Sequence, residues 1–431
     1  MFEEIGSILS GKHCDGSKVK LRGWIHRKRS SGKVIFMVLR DPSGIIQVVG
    51  RATDPFWPEV EKVTRESSAE LEGLVKKDER APGGYELALT GFKIVGLADS
   101  PFPITKDISV THLMNVRHLW LRSRKMNAIL KVRHTVFDGI HEYFRTNGFY
   151  ESTGPMFVTA ACEGGSTLFP INYFGRKAYL SQSAQFYNEA LIFTLGKQYL
   201  IAPSFRAEKS KTPRHLTEFW HAECEVAWCD FEGIMKTEEE LIVHIVKKVL
   251  AERKDELAFL KRPLETLEKT AEGNFPRIPY EKAIDMINAK SELGLTYESD
   301  LGADEETVLA NQFDKPFIVT GYPVMLKAFY HKPDPVRPTS TLAGDLLAPE
   351  GYGEIIGGGQ RCDTTEELRK QLELFNLREK DYGWYFDLRR YGSVPHSGFG
   401  LGVDRVVRWI CKLKHLRDAI PFPRTINRVY P

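Results

Sequence analysis

Cysteine is scarce in this chain, and the six present are scattered: Cys14, Cys162, Cys224, Cys229, Cys362 and Cys411, among 431 residues. No CxxC pair occurs, and Cys224 with Cys229 lacks a second pair to complete a zinc site, so reduced structural thiols are expected. Long apolar runs are also missing. No uncharged stretch approaches the roughly 18 residues of a membrane span. The opening MFEEIGSILSGKH carries acids early and no apolar core of signal-peptide length, so a cytoplasmic protein with no membrane partner is expected. There is no short internal repeat and no low-complexity tract. Nor does one sign of charge dominate: 60 Lys and Arg against 57 Asp and Glu leave a formal +3, and nucleic-acid binding would need those cations clustered. What remains is a soluble globular composition, 42% apolar and 27% charged, in a chain too long for one ordinary domain.

The first hundred residues read as β-structure. Val19 to Ile25 alternates apolar and polar, Val34 to Arg40 follows, and the turn Asp41-Pro42-Ser43-Gly44 leads into Ile45 to Val49. Tyr85 to Leu89 and Phe92 to Gly96 add strands, and Trp57 to Val75 is expected to be helical. Short strands with polar turns and one helix predict a small closed barrel of the oligonucleotide-binding type. Pro101-Phe102-Pro103 marks a boundary. An amphipathic helix is expected over Lys125 to Arg145 and a long one over Lys236 to Leu260, with strands at Ala178 to Leu180, Pro316 to Thr320 and Gly353 to Gly357. Strands and helices do not alternate strictly, so the fold class is α+β with an antiparallel sheet flanked by helices, not a doubly wound parallel sheet. The domains expected are a barrel over 1–104, a hinge over 105–128 and a catalytic domain over 129–431.

Three segments carry chemistry. Arg206 and Glu208 are expected to face one way on a strand. A basic loop with Arg214 and His215 follows, and Glu218 to Glu225 resumes period two around Phe219. Such a hairpin offers charge-assisted hydrogen bonds to a triphosphate, although alone it could be a solvated surface hairpin. Gly398 to Gly402, then Val403, Asp404 and Arg405, read as a glycine-rich turn entering a helix, without dinucleotide spacing or a P-loop lysine. Asp345 and Glu354 supply two carboxylates of the kind that hold Mg²⁺ beside phosphates.

In that order these segments resemble motifs of the class II aminoacyl-tRNA synthetases. Arg206 and Phe219 look like motif 2, Arg405 like motif 3, and Gly148-Phe149-Tyr150 through Pro155 like motif 1, which in the family builds the dimer interface. The barrel-then-core order resembles the aspartyl, asparaginyl and lysyl subgroup and covers essentially the entire chain. The resemblance implies ATP as substrate, Mg²⁺ as cofactor, a tRNA partner and a homodimer. It implies Arg206 on the α-phosphate, Phe219 on adenine, and Arg214, His215 and Arg405 on the β- and γ-phosphates, with Glu208 also in the ATP site. Glu354 and Asp345 would take the metal, though their spacing runs one residue longer than in relatives.

For the amino acid, the matching stretch of aspartyl enzymes resembles Ser-Pro-Gln followed by a lysine that pairs with the substrate carboxylate. Here Asn188 stands in the lysine's place and Glu189 follows, as in asparaginyl enzymes. A carboxylate accepts from an amide NH₂ and repels aspartate. Arg361 would hold the substrate carboxylate or side-chain carbonyl, and Glu163 and Gln185 the α-ammonium. Asparagine and tRNA-Asn are therefore the expected substrates. An aspartate–tRNA ligase, an ammonia-dependent asparagine synthetase sharing the core, and an RNA-binding protein without catalysis are the alternatives. Cys362, after Arg361, departs from the family pattern and has no explanation in the sequence. In the barrel, Lys18 to Lys33 concentrates positive charge, and the resemblance implies that Phe36 stacks on the central anticodon uridine while Gln47 and Arg29 contact it.

Overall fold

The computed structural model describes residues 1–105, 108–162, 167–210 and 212–431. They form two compact units, Met1–Trp120 and Leu121–Pro431. In the first, β1 (Lys18–Ser31), β2 (Val34–Arg40), β3 (Ile45–Arg51), β4 (Ser68–Lys77) and β5 (Tyr85–Gly96) close into a barrel in the order β1-β2-β3-β5-β4. Alternation decides which side chains enter it. In β2, Ile35, Met37 and Leu39 are buried with Leu21, Ile25, Ile46 and Val48, while Val34, Phe36 and Val38 lie on the outer face. The β2–β3 turn is tied by Asp41, whose Oδ1 accepts from the Ser43 and Gly44 N–H groups at 2.8 and 2.9 Å. The helix expected over Trp57 to Val75 stops at Lys62. From Ser68 the chain is strand, because Ala69, Leu71 and Val75 enter the core at even spacing, a period no helix can satisfy.

The second unit holds β6 (Tyr150–Glu151), β7 (Phe157–Val158), β8 (Pro170–Tyr173), β9 (Arg176–Leu180), β10 (Lys197–Phe205) and β11 (Glu218–Ala227). Further along come β12 (Arg277–Pro279), β13 (Phe317–Thr320), β14 (Ala343–Ala348), β15 (Gly353–Gln360) and β16 (His396–Gly402). Among the described residues eight of these form one sheet, β12-β13-β14-β15-β16-β11-β10-β6, and β7-β9-β8 form a small antiparallel one. The large sheet is antiparallel through its middle, from β13 to β10, and the fold is α+β. The helix Phe231–Glu252 packs on β14, β15 and β16 and on the helix Arg124–Thr146, burying Leu241, Ile242, Ile245 and Val249. It starts where Asp230 caps the Gly233 N–H at 2.8 Å. The long helix expected to Leu260 breaks at Arg253 and resumes as Lys254–Phe259.

Two local expectations change. β10 ends at Phe205, so Arg206 and Glu208 belong to the loop, not the strand. Gly398, Gly400 and Gly402 lie within β16, not in a turn. The bare backbone at Gly398 is what lets Glu225 of β11 cross it, since a Cβ there would meet the Glu225 carboxyl carbon at 2.2 Å.

Candidate active site

The site is laid out along β11. Phe219, His221, Glu223 and Glu225 alternate onto one face and line two adjoining cavities, spanning about 20 Å at the usual strand rise. One cavity, of about 80 Å³, is walled by Arg206, Glu208, Arg214, His215, Phe219 and Arg405. The other, of about 210 Å³, is walled by Gln185, Asn188, Glu225, His331, Asp345 and Arg361 among others. Arg206, His221, Glu354 and Gly400 face both. An aromatic face and cations at one end, and a polar chamber at the other, suit a nucleotide joined to a small polar molecule.

In the first cavity the Arg206 guanidinium carbon lies 5.4 Å from the centroid of the Phe219 ring. Arg405, in the first turn of the helix Val403–Ile410, pairs with the Glu354 carboxylate at 3.0 Å and donates to the Glu354 backbone carbonyl at 3.1 Å. Asp404, beside it, accepts from the Trp220 N–H at 2.9 Å and from Arg133, pinning that helix to β11. His215 lies 3.5 Å from Glu208, and burial followed by the nearby Arg405 lowers its pKa, favouring the neutral ring. Arg214 differs from its expected role. It donates to Glu306 at 2.8 Å, to the Gly351 carbonyl at 2.7 Å and to Thr307, so its guanidinium is committed to protein rather than open to phosphate.

Asp345 and Glu354 come from neighbouring strands. Asp345 pairs with Gly357, and the register slips by one residue between there and the pairing of Leu347 with Glu354. This β-bulge turns Glu354 to the same face as Asp345. Asp345 Oδ1 and Glu354 Oε1 lie 3.3 and 3.4 Å from where a Cβ on Gly357 would sit, so both carboxylates face one open spot. Lys327 Nζ donates to both Asp345 oxygens at 2.6 Å. Burial opposes ionisation of Glu354, but Arg405, Lys327 and Arg206 outweigh it and hold its pKa at about 2. Among the described residues no group of three or more His, Cys, Asp or Glu is set to hold a metal. Two carboxylates with the balance from phosphate and water is the usual habit of Mg²⁺, and the pair fits it.

The second cavity departs most from the sequence expectation. Glu189, on the helix Gln185–Leu195, is fully buried and does not line the chamber. Its oxygens accept from Gln185 at 3.0 Å, Tyr385 at 2.7 and 2.8 Å and Arg389 at 2.6 Å, with His396 at 3.0 Å. Burial opposes its charge, and Arg389, His396 and Arg361 overcome that and lower its pKa. Among the carboxylates that do line the chamber, beside Arg361, is Glu225, which sequence reasoning passed over. Its Oε1 accepts from Arg361 Nε and Nη2 at 3.1 and 2.6 Å, while its Oε2 is buried without a hydrogen-bond partner. Burial pushes the Glu225 pKa up, Arg361 pulls it down and Glu189 raises it again, leaving it at about 7. Asn188 lines the chamber with both amide atoms unpartnered, and Gln185 lines it as expected. Glu163 lies outside the described residues. Period two from Phe219 to Glu225 was the one signal that could have singled out Glu225. Lys327, Glu306 and His331 left no such signal.

On the barrel, Arg29 and Phe36 are cross-strand partners, with the guanidinium 5.1 Å from the ring centroid. Phe36 is on the outer face and therefore not core. Gln47, one strand over, donates to Glu86 at 3.1 Å. Pro155 is exposed, close in sequence to the exposed Phe157, whose ring lies 5.7 Å from that of Tyr173.

The chain belongs to the class II tRNA synthetases of the D, K and N type, whose family model matches residues 109–426, and an OB-fold nucleic acid binding domain matches residues 19–95. Within that family its close relatives are asparagine–tRNA ligases. The Thermoplasma acidophilum ligase is 50% identical over 426 residues, covering 98% of this chain and 99% of the relative. The Thermococcus kodakarensis ligase is 52% identical over 420 residues, 97% of each. Among solved structures, the asparaginyl-tRNA synthetase of Pyrococcus horikoshii complexed with asparaginyl-adenylate superposes with a TM-score of 0.93 at 49% identity, covering 97% of both chains.

Proposed function

We propose that this chain is an asparagine–tRNA ligase, activating asparagine with ATP and esterifying the 3′-terminal adenosine of tRNA-Asn with it. The observation that carries the reading is Glu225, which lines the chamber beside Arg361 with its Oε2 buried and without a hydrogen-bond partner. An amide nitrogen can satisfy that oxygen; a carboxylate would bring a second anion to it, in a site too dry to screen the repulsion. In this reading Glu225 takes the side-chain NH₂, Arg361 and the Asn188 amide the side-chain carbonyl, and Gln185 the α-ammonium. Glu189 acts from behind the chamber, holding Gln185 by its hydrogen bond.

Adenine lies on Phe219, and Arg206 faces the α-phosphate, with Arg405 and His215 on the β- and γ-phosphates. The α-carboxylate oxygen of asparagine attacks the α-phosphorus in line. That O–P bond forms as the bond to the β-phosphate breaks, and pyrophosphate leaves. No enzyme nucleophile is needed; the side chains position the reactants and stabilise the charge that develops. Asp345 and Glu354 would hold Mg²⁺, which supplies Lewis-acid neutralisation of phosphate charge when bound. In the second step the terminal adenosine hydroxyl attacks the acyl carbonyl and AMP leaves. The exposed Pro155, Phe157 and Tyr173 support pairing with a second copy of the chain, and the outward Phe36, Arg29 and Gln47 support reading of the anticodon.

Amino-acid-dependent ATP–pyrophosphate exchange tests the reading. Exchange with asparagine and not aspartate is expected. Exchange with aspartate alone would sink the side-chain argument, and adding ammonia with a search for free asparagine would then separate an aspartyl enzyme from an asparagine synthetase.

A further inference from the structure

The described residues between β10 and β11, 206–210 and 212–217, include Arg206, Glu208 and His215, and the stretch 212–217 is fastened by a contact outside the phosphate chemistry. Arg214 donates one Nη1 hydrogen to Glu306 Oε2 at 2.8 Å, and its Nη2 to Thr307 and to the Gly351 carbonyl. Glu306 and Thr307 lie on the helix Ala303–Ala310, some ninety residues along the chain. The same Glu306 oxygen accepts the backbone N–H of Glu354 at 2.8 Å. One carboxylate thus joins the loop that grips phosphate to the strand that carries Glu354. The contact is sheltered, with the Arg214 and Glu306 side chains 8% and 16% exposed, so it lacks the solvent screening that makes surface ion pairs weak. It also depends on a missing side chain. Gly353 has φ +75°, and a Cβ there would lie 2.1 Å from Glu306 Oε2 and 2.4 Å from Arg214 Nη1.

We propose that Glu306 is a positioning residue for ATP. With Thr307 it latches Arg214, holds the loop over the phosphate cavity, and sets Glu354 through its backbone. The proposal rests on the ATP-dependent reading above. Glu306 itself touches no substrate. Arg214 acts here as the loop's anchor, and phosphate binding falls to the residues the anchor holds in place.

The test is asparagine-dependent ATP–pyrophosphate exchange on the full chain, with E306A, R214A, the double variant and the milder T307V. E306A is expected to raise the KM for ATP at least tenfold and leave the KM for asparagine within twofold. R214A should raise the ATP KM in the same direction, and the double variant should be no worse than E306A alone, because Arg214 acts through the latch that E306A already removes. T307V should raise the ATP KM several-fold, and it serves if E306A fails to fold. Tryptic cleavage at the exposed Lys209 gives a readout independent of the reaction: it should quicken in E306A. Unchanged ATP KM and unchanged cleavage would overturn the latch, as would equal rises in both KM values or additive losses in the double variant. Absence of asparagine-dependent exchange in the wild-type chain would overturn the proposed function instead, and the cleavage rates would still decide the latch.

Discussion

At neutral pH the Glu225 carboxyl stands near the midpoint of its titration, at about 7. An amide NH₂ only donates, so bound asparagine favours the ionised carboxylate. A proton on Glu225 therefore competes with asparagine. The KM for asparagine should fall as pH rises through about 7 and level off above it, worsening by up to about tenfold per unit below. E225Q should abolish that dependence and lower kcat/KM for asparagine by about 5- to 150-fold, the cost of about 1–3 kcal/mol for leaving a buried group unsatisfied. A pH series of exchange assays at saturating ATP checks both, and a wild-type asparagine KM flat across that window would remove Glu225 from the role. Arg206 is predicted to act on charge that develops during the reaction. R206A should lower kcat by about 10²- to 10³-fold, as loss of one preorganised donor does elsewhere, measured as the single-turnover rate of adenylate formation.

At the scale of the element, the bulge between β14 and β15 does the work of aiming Glu354. Side chains alternate across a strand, and by setting two residues of β15 against one of β14 the bulge brings Glu354 to the face of Asp345. E354Q keeps that geometry, with Glu354 opposite Leu347, and removes the charge aimed at the spot shared with Asp345. The expected result is loss of Mg²⁺-dependent exchange in a chain that still folds, checked by circular dichroism beside a magnesium titration. Full activity would mean that Glu354 does not hold the metal. The helix Phe231–Glu252, which had no role in the sequence reading, supports these strands from behind.

At the scale of the whole molecule, the residues proposed for the chemistry and those proposed for tRNA reading fall in separate units. F36A should leave asparagine-dependent exchange unchanged and weaken tRNA charging by about 1–3 kcal/mol, the usual contribution of one stacked base, seen as a higher KM for tRNA. Loss of exchange in F36A would contradict the division of labour.

The barrel was legible because its strands alternate within a few residues: Ile35, Met37 and Leu39 declare an inward face without help from the rest of the chain. The expected helix over Trp57 to Val75 was misjudged because closing a barrel overrode the local signal, and the partners of β4 lie on β1 and β5. Arg206, Phe219, Glu354 and Arg405 could be named from their resemblance to the synthetase motifs, since each lies in a short stretch with an unusual charge or glycine pattern. The roles of Glu189, Glu225 and Arg214 could not. Each depends on which groups face it across the fold, and those partners are distant in sequence: Arg389 for Glu189, Arg361 for Glu225, Glu306 for Arg214. A carboxylate's task is set by whether its oxygens are already taken, and that is a property of packing. The sequence by itself determined the fold class and singled out residues that gather round the first cavity, Arg206, Phe219, Glu354 and Arg405 among them, because strands and clustered charges are written in local period and residue type. Only the tertiary structure decided that Glu225, lining the second cavity, keeps an unpartnered oxygen while Glu189 does not, because hydrogen-bond saturation is settled between strands and helices far apart in the chain.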